Sequence, residues 1–187
     1  KDTAKEQNMN KFIRHFKTIT RHRHAVIKNC FKAGIPMQGI KHDLSKYSPE
    51  EFFTGVKYFQ GNRSPNNAER EEKGYSAAWL HHKGRNKHHY EYWVDYSVNS
   101  IPGVIAPVPM PDRYIAEMIM DRIAACKVYN GSNYKDSDAL HYYQKGADRI
   151  PVHPETKRKM ERYLKMLAAK GEAYTFARIR KELVIKR

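Results

Sequence analysis

The chain of 187 residues carries ten histidines, and their spacing says more than their number. An ordered series opens with His22, the pair His42-Asp43 follows twenty residues on, His81-His82 and His88-His89 stand seven apart, and Asp121 lies inside an apolar helical stretch. Neutral imidazole offers a lone pair without the cost of desolvating a full charge, so histidine is the side chain most often recruited to transition metals. A carboxylate among apolar neighbours is costly unless something partners it, so Asp121 calls either for Arg113 or Arg122 or for a cation. Four imidazoles and two carboxylates from different helices satisfy two divalent ions that share a bridging carboxylate and a hydroxide. Lys46, three residues beyond Asp43, falls on the same side of a helical turn and can neutralise a phosphate oxygen. Glu117, one turn before Asp121, can orient a ligating imidazole or position a water. Arg85 and Lys87 are further phosphate-binding candidates, and His15, His141 and His153 read as surface or capping residues. Two choices stay open on periodicity alone. His24 lies at the edge of the same apolar stripe as His22, and in an unbroken helix His81 with His88 shares a face as regularly as His82 with His89.

The elements that must position these residues read as helices throughout. Phe12, Ile13, Phe16, Ile19, Val26, Ile27, Cys30 and Phe31 recur at helical spacing, which predicts a first helix from Gln7 to Ala33 stopped by Gly34 and Pro36. A short helical segment over Met37–His42 leads into the His42-Asp43 turn. Ser48 then reads as an N-cap with Pro49 in the first turn and Glu51 as a capping-box acid, for a helix reaching about Gln60. Residues 61–67 form a turn, 68–93 are mostly helical with interruptions near Gly74 and Gly84, and the proline-rich stretch 97–111 is irregular. Asp112 caps a helix through Tyr129 with Ile115, Met118, Ile119, Ile123 and Cys126 on its buried side. Further helices are expected over 136–147, 154–170 and 172–184. No convincing period-2 run, internal repeat or low-complexity tract is present, so the fold class is all-α, a single-domain helical bundle over 1–187 with a basic C-terminal helix.

Composition narrows the function classes. Hydrophobic residues are 40% and aromatic residues 12% of the chain, and a domain of this size buries roughly 70% of the surface its unfolded chain exposes, enough to enclose a site. The net charge is +15. It concentrates at the ends: residues 1–32 hold nine basic and two acidic side chains, and residues 155–187 hold eleven and four. Basic ends attract phosphate-bearing ligands, nucleic acid among them, and equally keep a surface solvated. No glycine-rich phosphate loop, paired-cysteine finger or RNA-binding aromatic signature accompanies the charge, and Tyr90, Tyr92, Trp93 and Tyr96 read as packing rather than a base-stacking platform. No apolar run is long enough to span a bilayer, and no apolar leader opens the sequence. With only Cys30 and Cys126 there is no disulfide framework, and a reducing cytoplasm is the expected compartment.

The ordered set resembles the HD-domain superfamily of metal-dependent phosphohydrolases, whose pattern is a lone His, a His-Asp pair, further His residues and a late Asp. His42-Asp43-Leu44-Ser45-Lys46 resembles its His-Asp turn, and Glu117-Met118-Ile119-Met120-Asp121 its closing helix. The phrases His22-Arg23-x-x-Val26, Ser45-Lys46-x-Ser48-Pro49-x-Glu51-Phe52, Asn86-Lys87-His88-His89-x-x-Tyr92-Trp93 and His153-Pro154-x-Thr156 are similar to a bacterial and phage family of small HD-like proteins over about residues 12–167. The resemblance implies an HD-like bundle with a metal site in its core. His22, His42, Asp43 and Asp121 would hold a first ion, and Asp43 would bridge to a second held by His82 and His89, with His88 in contact with substrate. It implies one or two divalent ions, Mn, Fe, Ni, Co or Zn with Mg also admissible, and a phosphate-bearing small molecule or nucleotide as substrate. Asp43, Lys46, Glu117 and His88 would then carry the catalysis. Di-iron oxygenases of the same superfamily use the same donor set, and a non-catalytic nucleotide or nucleic-acid binder would use the basic ends alone. The chain lacks the Gly-Tyr-Pro extension of the cyclic-dinucleotide branch, which argues against that substrate.

Overall fold

In the computed structural model, which describes residues 2–97, 104–146 and 151–185, proline marks where several helices begin. Helix α1 (Asp2–Ala33) is followed by α2 (Pro36–Lys41), α3 (Pro49–Lys57), α4 (Pro65–Lys73) and α5 (Ala77–Arg85). After a two-stranded antiparallel ribbon, β1 (Val94–Tyr96) with β2 (Ile105–Pro107), come α6 (Asp112–Asn130), α7 (Asp138–Gln144) and α8 (Pro154–Ile185). Proline lacks the N–H that a helix leaves unpaired in its first turn, so starting there sacrifices no hydrogen bond. The fold is all-α apart from the ribbon, and no helix of the described residues is long and apolar enough to cross a membrane.

Helix α6 is the spine. It buries Ile115, Met118, Ile119, Met120 and Ile123 against Val26 and Cys30 of α1 and Met160, Leu164, Leu167 and Ile179 of α8. Each such side chain contributes roughly 1.5–3 kcal/mol on leaving water. Its last turns are less enclosed, and Cys126 is only half-buried. Along α1, Ile19, Val26 and Cys30 are buried as the stripe predicts, whereas Phe12, Ile13, Phe16 and Phe31 stay exposed. Phe12 and Phe16 lie edge-on to Phe52 of α3 instead of entering the core.

Several boundaries differ from expectation: α1 starts at Asp2 rather than Gln7, and α4 starts at Pro65, inside the expected 61–67 turn. The stretch 97–111 includes β2 and pairs with β1 in the register Val94 opposite Pro107; three-residue strands are too short to show alternation. The helical reading of 68–93 breaks at Asn86 rather than Gly84. The Asn86 side chain bonds back to the His82 carbonyl at 2.8 Å, and 3-10 geometry takes over at Tyr90–Tyr92. Asp112 is the first helical residue of α6, with Pro111 at the cap position, and its carboxylate pairs with Lys159 at 2.7 Å. The expected break between helices 154–170 and 172–184 is present: within α8 the backbone is non-helical at Gly171 (φ 76°), a value that glycine adopts without a Cβ penalty.

His15, expected at the surface, is buried between the rings of Phe52 and Phe59 and against Gly55. A Cβ at position 55 would lie 2.3 Å from His15 Nε2, so only glycine permits this approach. Burial first, and the nearby Lys46 charge second, lower the His15 pKa to about 4. The unfolded chain takes up this proton near pH 6.5 and the folded chain does not, so stability is lost as pH falls between those values, by at most about 3 kcal/mol. In paired denaturant titrations at pH 7 and pH 5, His15→Leu should lose less stability between the two than the parent chain. An equal loss would remove His15 from the acid response.

Candidate metal centre

Each donor is delivered by a different local device. His22 projects from α1 and is buried, whereas His24, two residues on, is exposed. The turn after α2 sets His42 at the C-cap and Asp43 in left-handed conformation (φ 53°, ψ 26°), the only non-glycine with positive φ among the described residues. Aspartate tolerates that region better than most residues. Arg23 of α1 clamps the turn, donating from Nε to the His42 carbonyl at 3.1 Å and from its terminal nitrogen to the Ile40 carbonyl. Lys46 follows in a single 3-10 turn, Leu44–Tyr47. His82 comes from α5, and His88 and His89 from the turn that Asn86 opens. Glu117 and Asp121 lie one turn apart on α6.

These residues converge on the Asp43 carboxylate, one oxygen to each side. Oδ2 lies 3.6 Å from His22 Nε2 and 3.2 Å from His42 Nε2, and Asp121 Oδ1 completes that side at 3.0 Å from His22 Nε2. Oδ1 faces His82 Nε2 at 3.3 Å and His88 Nε2 at 3.4 Å, and His82 Nε2 meets His89 Nε2 at 2.9 Å. In the sets His22, His42, Asp43, Asp121 and Asp43, His82, His88, His89, the donor atoms all lie within 4.8 Å of one another. A tetrahedron of 2.0–2.1 Å metal–ligand bonds has edges of about 3.3 Å, which these separations match.

The buried atoms behave as donors aimed at a third body. Nε2 of His22, His42 and His88 and both Asp43 oxygens are buried and, despite their proximity, make no hydrogen bond of good geometry. Orphaned buried acceptors are rare in folded proteins; the Lys46 ammonium is an ion-pair partner for Asp43 Oδ2, and cations would satisfy the other four atoms. The opposite ring nitrogens are well held. Glu117 Oε1 lies 2.9 Å from His42 Nδ1 and 3.1 Å from His88 Nδ1, and Glu51 lies 2.7 Å from Nδ1 of both His81 and His82. An ionised carboxylate accepts from Nδ1–H, which leaves the Nε2 lone pair free. Asn86 donates to Ser45 Oγ at 2.8 Å and so ties the His88 turn to the His42 turn.

Electrostatics divide the rings: His88 and His89 are pushed toward the neutral form, whereas their carboxylate neighbours push His42 and His82 toward the charged one. Burial opposes charge on Asp43, but His42, Lys46 and His82 overcome it and hold the carboxyl well below its usual range; Asp121 is held low by His22 and His42 against the same burial penalty. Burial, with His42 beside it, lowers His88; burial, with His88 and His82, lowers His89 further. His42 is buried too, yet Asp43, Asp121 and Glu117 raise it well above the ordinary imidazole value. The site thus pairs ionised carboxylates with neutral imidazoles at His88 and His89, the forms that bind metal. Lys46 Nζ sits 2.6 Å from Asp43 Oδ2 with 30% of its side chain exposed, so it reaches from the buried carboxylate toward solvent.

All six residues read as ligands, His22, His42, Asp43, His82, His89 and Asp121, are brought together, and Glu117 stands behind one of them, His42, and behind His88. His88, read as a substrate contact, instead joins the second donor set, because the chain leaves the helix before it and the seven-residue face rule no longer applies. His81 turns away to Glu51. Asp121 pairs with neither arginine that was the alternative to a cation: Arg122 lies over Tyr143 and Arg113 over Tyr114. Arg85 and Lys87 are exposed, and Lys87 lies over Tyr92. Glu51, read as a capping-box acid, is the functional side chain that sequence reasoning missed; the signal available was an acid on the first turn of the helix following the His-Asp turn.

Comparison with known proteins adds a family and no activity. A family described as one of unknown function, DUF5662, matches residues 11–166. No curated protein and no solved structure matches the chain.

Glu117→Gln keeps the shape of the side chain and removes the charge that fixes two imidazoles. Metal affinity, read by competition against a chelating dye, should fall about 10- to 100-fold with helical circular dichroism unchanged. Undiminished affinity would deny Glu117 this positioning role.

Proposed function

We propose that this chain, which belongs to the DUF5662 family, is a metal-dependent phosphohydrolase or phosphodiesterase acting on a nucleotide or another small phosphate ester, with an HD-like centre. One observation carries the reading: Asp43 turns one carboxylate oxygen to each of two donor sets, with a lysine on its solvent side. The likeness of the His42-Asp43 and Glu117–Asp121 segments to the HD superfamily supports it. The imidazole-rich donors suit Mn, Fe, Ni, Co or Zn better than Mg. Bound cations would lower the pKa of a shared water toward neutrality and offset charge on a phosphoryl oxygen.

The remaining work falls to the chain's own residues. Lys46 offers a cation at the exposed edge, where a phosphate oxygen can meet it without entering the core. Glu117 and Glu51 keep His42, His88 and His82 in the tautomer that presents Nε2 inward. Arg23 and Asn86 fix the two turns, so little reorganisation is needed when substrate arrives. The same donor set favours a second reading, di-iron oxygenation, which differs in consuming O₂ in step with substrate.

The test is a panel of nucleotides, phosphodiesters and aryl phosphates with Mn²⁺, Fe²⁺, Ni²⁺, Co²⁺, Zn²⁺ or Mg²⁺, with O₂ uptake followed in parallel. The parent chain should release phosphate or cleave a diester with at least one transition metal. His42→Ala and Asp43→Ala should lose bound metal and activity with helical content kept, and Lys46→Met should keep metal but lose about 10- to 1000-fold in kcat/KM. Activity retained in Asp43→Ala, or none across the panel in metal-loaded protein, would overturn the reading.

A further inference from the structure

A second cavity lies far along the chain from the histidine centre, in the hairpin that Gly171 creates within α8. Beyond that residue the helix returns along its first limb: Glu182 accepts from the Tyr163 hydroxyl at 2.6 Å, from Arg178 Nε at 2.6 Å and from Arg162. One carboxylate therefore locks two arginines from opposite limbs. A guanidinium has five N–H donors, so these contacts do not exhaust either one, and both side chains stay nearly half exposed. Beside them is a cavity of about 390 Å³ lined by Arg158, Lys159, Arg162 and Arg178 together with Asp112 and Glu182. That is the size of a pocket for a small organic ligand.

The charges do not cancel. Four basic side chains line it with two acidic ones, and a third carboxylate, Glu155, reaches Lys159 from its edge, which leaves an excess of one positive charge. Lys159 is engaged by Asp112 at 2.7 Å and by Glu155 at 2.5 Å. Arg158 makes neither a hydrogen bond nor an ion pair among the described residues. The net excess is thus carried by guanidinium groups, two of them held in place by Glu182 before any ligand arrives. Pre-organised guanidinium forks match phosphate oxygens bidentately, where lysine would act only as a point charge.

We propose that this cleft binds a phosphate-bearing ligand, through Arg158, Arg162 and Arg178, at a site separate from the histidine centre. It shares no residue with that centre and stands whether or not the centre hydrolyses anything. The phosphate could belong to a free nucleotide or to the backbone of a nucleic-acid strand, and the basic C-terminal third supplies long-range attraction for either.

Calorimetric titrations of the full chain in chelator-containing buffer, with pyrophosphate, a nucleoside monophosphate and a short single-stranded oligonucleotide, test it. Binding of the small probes assigns a free phosphate ligand, and binding of the oligonucleotide alone assigns a strand; either supports the site. In both cases Arg158→Glu, which disturbs no contact of the fold, should weaken binding at least about tenfold, and added salt should weaken it further. An Arg158→Ala/Arg178→Ala double variant should do the same. His42→Ala should bind like the parent, which separates this site from the fate of the hydrolase reading. No binding of any probe, unaltered affinity in Arg158→Glu, or loss of binding in His42→Ala would overturn the proposal.

Discussion

The arrangement depends on one buried carboxylate that faces imidazoles on both sides. Asp43 is enclosed, its two oxygens point in different directions, and beyond its neighbours His42 and Lys46 the nitrogens that meet them, from His22, His82 and His88, belong to elements distant in the chain. A lone carboxylate in such a place costs several kcal/mol, even after the protein relaxes around it. The helices can bury it because they bring an equally dense set of partners, and because the apolar contacts of α6 with α1 and α8 offset what the polar cluster costs.

Around that point the structure is built in shells of opposite character. Lone pairs face inward, and behind them Glu117 and Glu51 grip the far side of the rings. Behind those, Arg23 and Asn86 hold the turns that a flexible chain would let drift. Helix α6 joins the two functions of the core. Ile115, Ile119 and Ile123 anchor it in the apolar packing, while Glu117 and Asp121, interleaved with them, carry it into the polar centre. A helix buried on all sides through its middle turns cannot rotate to relieve a misplaced carboxylate, which makes the spacing of those two acids a matter of the whole fold.

The candidate donors were legible because costly residue types stood where a solvated surface would not need them: Asp121 in an apolar helix and four imidazoles in two adjacent pairs. The helices themselves followed from periodicity and from Pro49, Pro154 and Gly171. What could not be read was the break at Asn86, since its hydrogen bonds to the His82 carbonyl and to Ser45 require the tertiary fold. That single event turned His88 inward and voided the periodic argument for 81–89. His15 was opaque for a similar reason: its burial depends on a glycine forty residues away, which its own helix does not reveal. Glu51 was visible as a first-turn acid, but a local capping role and a long-range grip on imidazole look identical in one dimension. The ribbon of β1 and β2 is too short for alternation to register.

The left-handed backbone of Asp43 sets two demands on the same codon. For an L-residue that conformation carries a penalty of roughly 1–2 kcal/mol, which glycine would abolish. Glycine would also erase both oxygens around which the interior is organised. Selection for a sturdier chain and selection for what the chain does therefore pull this one position toward different amino acids, and asparagine is the neighbour that keeps the backbone tolerance while giving up the charge.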